Sequence, residues 1–120
     1  MADTLDQAAL TALLEAVGDD PEFVGELVDT YLGDAPVLLA AMREAIGSGS
    51  AADLLRPAHT LKGNSLNLGA QELAEISRSL EQAAKADDLT DAPAHLEEAE
   101  AEFARVVEAL AAARGRGWRA

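Results

Sequence analysis

The sequence has no cysteine, few aromatic residues and few cations. Without a thiol it can form no disulfide, no thiolate metal site and no cysteine nucleophile. With one Trp, one Tyr and two Phe in 120 residues, the 49% of apolar residues must come mainly from Ala, Leu, Val and a little Ile, which is a helix-forming vocabulary. Lys and Arg number 9 against 22 Asp and Glu, for a net charge of −13. That balance argues against nucleic acid, because phosphate backbones are bound by clustered cations. Apolar runs are also short. Ala35 to Met42 falls far below the roughly 20 residues of a membrane span, and Met1-Ala2-Asp3 opens no basic, apolar export signal. The expectation is a cytoplasmic protein with neither a nucleic-acid nor a membrane partner. No glycine-rich phosphate cradle is present either, since Gly47-Ser48-Gly49 lacks a following lysine and a strand-turn-helix context.

What is there repeats every three or four residues, with no alternating β-branched runs. A short first helix is expected from Thr4, where Thr4 and Gln7 have capping-box spacing, to near Gly18. A second opens at Asp20-Pro21, an N-cap followed by proline at the first helical position, and should kink or break around Gly33 to Pro36. The turn Gly47-Ser48-Gly49-Ser50 leads to a third helix with Leu54, Ala58, Leu61, Ser65 and Leu68 on one stripe. Gly69 ends it, a fourth runs through Leu73, Ile76, Leu80 and Ala84, and a fifth follows Thr90-Asp91. The fold class is all-α: an antiparallel up-down-up-down four-helix bundle with a short N-terminal accessory helix. Residues 1–113 form one domain, and 114–120 form a basic, disordered tail without periodicity.

The chemistry concentrates in Ala58-His59-Thr60-Leu61-Lys62-Gly63. On a helical wheel Ala58, Leu61 and Ser65 point inward, while His59, Lys62, Gly63 and Leu66 lie on the flank, so His59 should be partly exposed. A free imidazole titrates near pH 6.5, so much of it is neutral at pH 7, and a neutral ring nitrogen can attack phosphorus. Lys62, one turn on, could offset charge on a bound phosphoryl group. Gly63 costs about 1 kcal/mol relative to alanine in a helix interior, which suggests close approach of something to the backbone beside His59. His95 has no lysine-glycine pair after it and reads as a surface histidine. No Glu-x-x-His pair occurs, so no di-metal site is expected.

That hexapeptide, followed by Leu68-Gly69-Ala70 and preceded by Asp34-Ala35-Pro36, resembles the signature of histidine-containing phosphotransfer (HPt) domains over about residues 4–112. The resemblance implies that His59 is the phosphoacceptor, Lys62 the cation near the phosphoryl group, and Gly63 the small residue that admits a receiver domain. It places Glu81, where many relatives carry glutamine, against the other ring nitrogen; a solvated helix-face residue is the alternative. Pro57, two residues before His59, cannot donate to the Asp53 carbonyl: with Asp53 as the N-cap it lies just beyond the first turn, and otherwise a kink is expected beside the site, His59 staying helical in both cases.

The implied function is a phosphorelay intermediate that accepts a phosphoryl group from a receiver phospho-aspartate onto His59 and passes it to another receiver. Two alternatives share the fold: a phosphoacceptor for a separate kinase chain, and an unphosphorylated receiver-binding bundle. The protein would be a phosphocarrier without an ATP site or cofactor, the receiver supplying a divalent cation. Its partners would be response-regulator receivers or a hybrid histidine kinase. Leu55, Arg56, Leu66 and Arg78 are the expected docking residues. Residues 50–85 carry four acids, Asp53, Glu72, Glu75 and Glu81, against Arg56, Lys62, Arg78 and Lys85, so this stretch is neutral on an otherwise acidic chain. The initial Met1 favours a free-standing protein.

Overall fold

The computed structural model describes residues 4–120; the reading made on Met1-Ala2-Asp3 and the first three residues of the 1–113 domain lie outside them. Five helices follow one another: α1 (Gln7–Ala16), α2 (Pro21–Gly47), α3 (Ala51–Asn67), α4 (Gln71–Lys85) and α5 (Ala92–Gly115). Among the described residues there is no strand. Helix α2 packs on α3, α3 on α4, α4 on α5, and α5 returns to α2, closing a four-helix bundle against which α1 rests lightly. The core is built from aliphatic side chains such as Leu10, Val24, Met42, Leu61, Leu80 and Leu110. One buried polar pair crosses it, Tyr31 Oη and Ser65 Oγ at 2.9 Å. Burial pushes the Tyr31 phenol up to about 12.

Caps set where the helices begin. The Asp20 carboxylate accepts from the Glu22 and Phe23 amides ahead of Pro21. Ser50 Oγ accepts from the Asp53 amide at 3.2 Å, so α3 starts at Ala51 rather than at Asp53. Pro57 therefore lies inside α3, which runs unbroken across it. The carbonyl that the proline leaves without an amide donor is that of Asp53, an exposed residue. Helix α2 likewise continues through Pro36 for 27 residues, against the expected kink or break. Val28, Tyr31 and Ala35 on one side and Leu39, Met42 and Ala45 on the other are all buried on one stripe, and this packing holds the axis through the missing bond.

Two ends differ from expectation. The N-cap of α1 is Asp6, not Thr4: its carboxylate accepts from the Ala8 amide and from Gln71 Nε2, each at 3.1 Å. Its own amide donates to the Gly69 carbonyl at 2.7 Å. A tertiary anchor thus chose between two local capping residues. Gly69 has φ +76, and a Cβ there would lie 2.7 Å from the Asp6 carbonyl oxygen, so the α3–α4 turn admits only glycine. At the other end, residues 114–120 are not a disordered tail. Helix α5 extends to Gly115, the Trp118 amide donates back to the Ala113 carbonyl at 2.8 Å, and the indole is 1% exposed. One aromatic in a polar segment leaves no periodicity to read, yet burying it contributes as much as several smaller side chains.

Candidate functional site

Helix α3 buries Ala58, Leu61 and Ser65 fully and turns His59 outward, its side chain 67% exposed. After the short turn at Gly69, α4 packs along α3 and presents Glu81, whose side chain is only 4% exposed. Glu81 Oε2 lies 2.5 Å from His59 Nδ1, and Oε1 lies 2.6 Å from Lys62 Nζ. Lys85, one turn further along α4, brings its ammonium to 3.9 Å of Oε2. A buried carboxylate ordinarily resists ionisation. Here the Lys62 hydrogen bond outweighs that burial, and with help from His59 and Lys85 it holds the Glu81 carboxyl below the usual carboxylate range.

The tautomer follows. An ionised carboxylate can only accept, so the His59 Nδ1 must carry the ring proton in this contact. In the neutral ring the nitrogen that keeps the lone pair is then Nε2, which makes no hydrogen bond among the described residues. Glu81 is therefore the partner of the imidazole and not a solvated helix-face residue. Sequence reading missed that Glu81 also binds Lys62. The spacing held a clue, because His59 and Lys62 lie on the same flank of one helix and a single carboxylate can face both.

Gly63 lies in the interior of α3, and a Cβ on it would meet nothing within 4 Å. Nothing within the molecule requires glycine there, so the open surface beside His59 is the feature it provides. Leu55 and Leu66 are 36% and 46% exposed. Arg56 is exposed and forms no ion pair among the described residues, and the Arg78 guanidinium lies 3.6 Å from Glu75 on its own helix. By helical position Leu55, Lys62 and Leu66 lie on the α4 side of α3, Arg56 lies on the α2 side, and His59 and Gly63 sit between. The structure adds an open groove of about 520 Å³ on the α2 side that sequence reading did not find. Its walls are Ala9, Ala12 and Leu13 of α1, Leu27 and Asp34 of α2, and Asn64 of α3. Val37, one turn beyond Asp34, is 68% exposed and extends the apolar surface along α2. His95 is half-buried, 3.9 Å from Glu98, and stands apart from the cluster. Among the described residues no three metal-ligating side chains converge.

Together the bundle and the cluster define a class of protein: a helical scaffold that displays one imidazole, oriented from behind by a charged pair, on an otherwise open helix face. Comparison with known proteins agrees. The model of the Hpt domain matches residues 26–113, and the chain belongs to that family. Among solved structures, histidine-containing phosphotransfer protein B (HptB) from Pseudomonas aeruginosa is 36% identical to it. That match covers 97% of this chain and 98% of that one, with a TM-score of 0.86. No curated protein matched. The chain is thus a phosphorelay histidine phosphotransfer protein, a phosphocarrier of a family whose members interact with receiver domains and kinases.

Proposed function

We propose that His59 Nε2 takes the phosphoryl group from the phospho-aspartate of one receiver domain and returns it to the aspartate of another. The observation that carries this is the 2.5 Å contact between Nδ1 and Glu81, which fixes the proton on one nitrogen and leaves the other exposed as the nucleophile. In the forward step the Nε2–P bond forms in line as the P–O bond to the donor aspartate breaks, and the aspartate departs as a carboxylate. The Nδ1 proton stays in its hydrogen bond, where Glu81 stabilises the positive charge that develops on the ring.

Lys62 rests on Glu81, within reach of the same face, and turns toward the phosphoryl oxygens once they arrive. The receiver docks over Gly63 and into the α1–α2–α3 groove, with Leu55 and Leu66 on the opposite flank and Arg56 and Arg78 at the rim. A neutral α3–α4 stretch on a chain of net charge −13 gives an acidic receiver one face that does not repel it. The receiver supplies the divalent cation, and this chain acts as a phosphocarrier that takes its phosphoryl group from a protein rather than from a nucleotide. Incubation with a phosphorylated receiver should give acid-labile label on the wild type and none on His59→Gln. Equal labelling of the two would reject the assignment.

A further inference from the structure

The C-terminal segment, which the transfer chemistry leaves unused, is tied to the groove through α1. The Arg114 guanidinium fills the space left by Gly25 on α2, where a Cβ would lie 3.1 Å from its Nη1, and the Trp118 indole packs beside it at 4.0 Å. The indole Nε1 donates to the Pro21 carbonyl at 2.9 Å. Arg114 stacks on the indole, 5.3 Å from the ring centroid, and pairs with Asp29 at 2.5 Å. The Trp118 carbonyl in turn accepts from Gln7 Nε2 at 3.0 Å, which joins the last turn of the chain to the first turn of α1.

Helix α1 is otherwise weakly held. It has ten residues, of which Leu10 and Leu14 are buried, and its N-terminus hangs on the Asp6 contacts with Gly69 and Gln71. Yet Ala9, Ala12 and Leu13 make one wall of the groove whose opposite wall carries Asn64, the neighbour of Gly63. A helix this short gains little stability by itself, so its place depends on such tertiary ties. We infer that Gln7, Arg114 and Trp118 are positioning residues for receiver docking: the C-terminal strap holds α1 as the groove wall and sets receiver affinity without touching the transfer step. The inference rests on the docking face proposed above.

Gln7→Leu cuts the tie while leaving the core intact, and Thr11→Val removes the other side-chain partner of Gln7 without touching the strap. The probe is the receiver domain from the protein's own genome that binds the unphosphorylated wild type most tightly. For Gln7→Leu, amide exchange across residues 7–16 should quicken and the Kd for unphosphorylated receiver should rise, each by about three- to tenfold, the scale of one hydrogen bond. In single turnover the half-saturating receiver concentration should rise with the transfer rate at saturation unchanged. Labelling of His59 by phosphoramidate should be unaffected, and Thr11→Val should match wild type throughout. Trp118→Ala should exaggerate the same pattern; if it does not fold cooperatively, Gln7→Leu decides alone. Faster exchange in α1 with unchanged Kd would overturn the inference, as would unchanged exchange or an equal effect of Thr11→Val. Because Kd is read without phosphate, failure of His59 to label would reject the phosphocarrier assignment and leave this one standing.

Discussion

Glu81 is the residue on which the proposed site balances, because one buried carboxylate serves His59 through one oxygen and Lys62 through the other. Removing the lysine leaves the charge with the histidine and a distant Lys85. Lys62→Met should therefore destabilise the fold by about 1–3 kcal/mol at pH 7, as read by urea unfolding. The pH dependence has a definite sign. A carboxyl whose folded pKa lies below its unfolded value, about 4.3 for glutamate, adds stability above that value and loses it as pH falls through the folded one. The part of the stability difference between wild type and Glu81→Gln that comes from the ionised carboxyl should thus shrink as pH falls below about 4. A difference that persisted unchanged to pH 2 would mean that Glu81 is not held ionised. His59, Lys62 and Gly63 were legible in the sequence because they share one helix and a short motif. The two-sided role of Glu81 was not, since it depends on how α4 registers against α3, a tertiary fact with no local signal.

At the scale of the helices, Gly63 gives the sharpest test, because stability and docking should move in opposite directions. The site for its Cβ is empty, so Gly63→Ala should raise stability by about 0.8–1 kcal/mol. If the receiver closes over that surface, the same variant should weaken phosphotransfer, and improved stability with unimpaired transfer would remove Gly63 from the docking face. Pro36 offers a second measurement. Its substitution by alanine restores a helical amide in α2 at an exposed position, and Tm should rise by the equivalent of about 1 kcal/mol. Helix number, order and inward stripes could be read from periodicity, since Leu and Ala at three- and four-residue spacing leave little choice. The prolines could not be read reliably: their local cost is visible in sequence, but what overrides it is the packing of the buried residues on either side of them against neighbouring helices. Thr4 against Asp6 as the cap of α1 failed for the same reason, the deciding contact being with Gly69, more than sixty residues away.

For the whole molecule, the excess of acid governs behaviour in solution. A net charge of −13 on a chain 44 Å long means self-repulsion in the folded state. Raising ionic strength from about 0.01 to about 0.15 M shortens the screening length from about 30 to about 8 Å and should raise Tm. The buried strap at 114–118 was illegible because it rests on a single aromatic residue, and a lone tryptophan carries no pattern. That same solitude makes it useful. The chain has one indole, sealed on α2 and joined by its carbonyl to α1, so emission from the folded protein should be blue-shifted and come from this one place. The protein has a built-in optical label at the strap end of α1. A spectrum unchanged by phosphorylation of His59 but altered when a receiver settles against α1 would separate the chemical event from the encounter, with no dye attached.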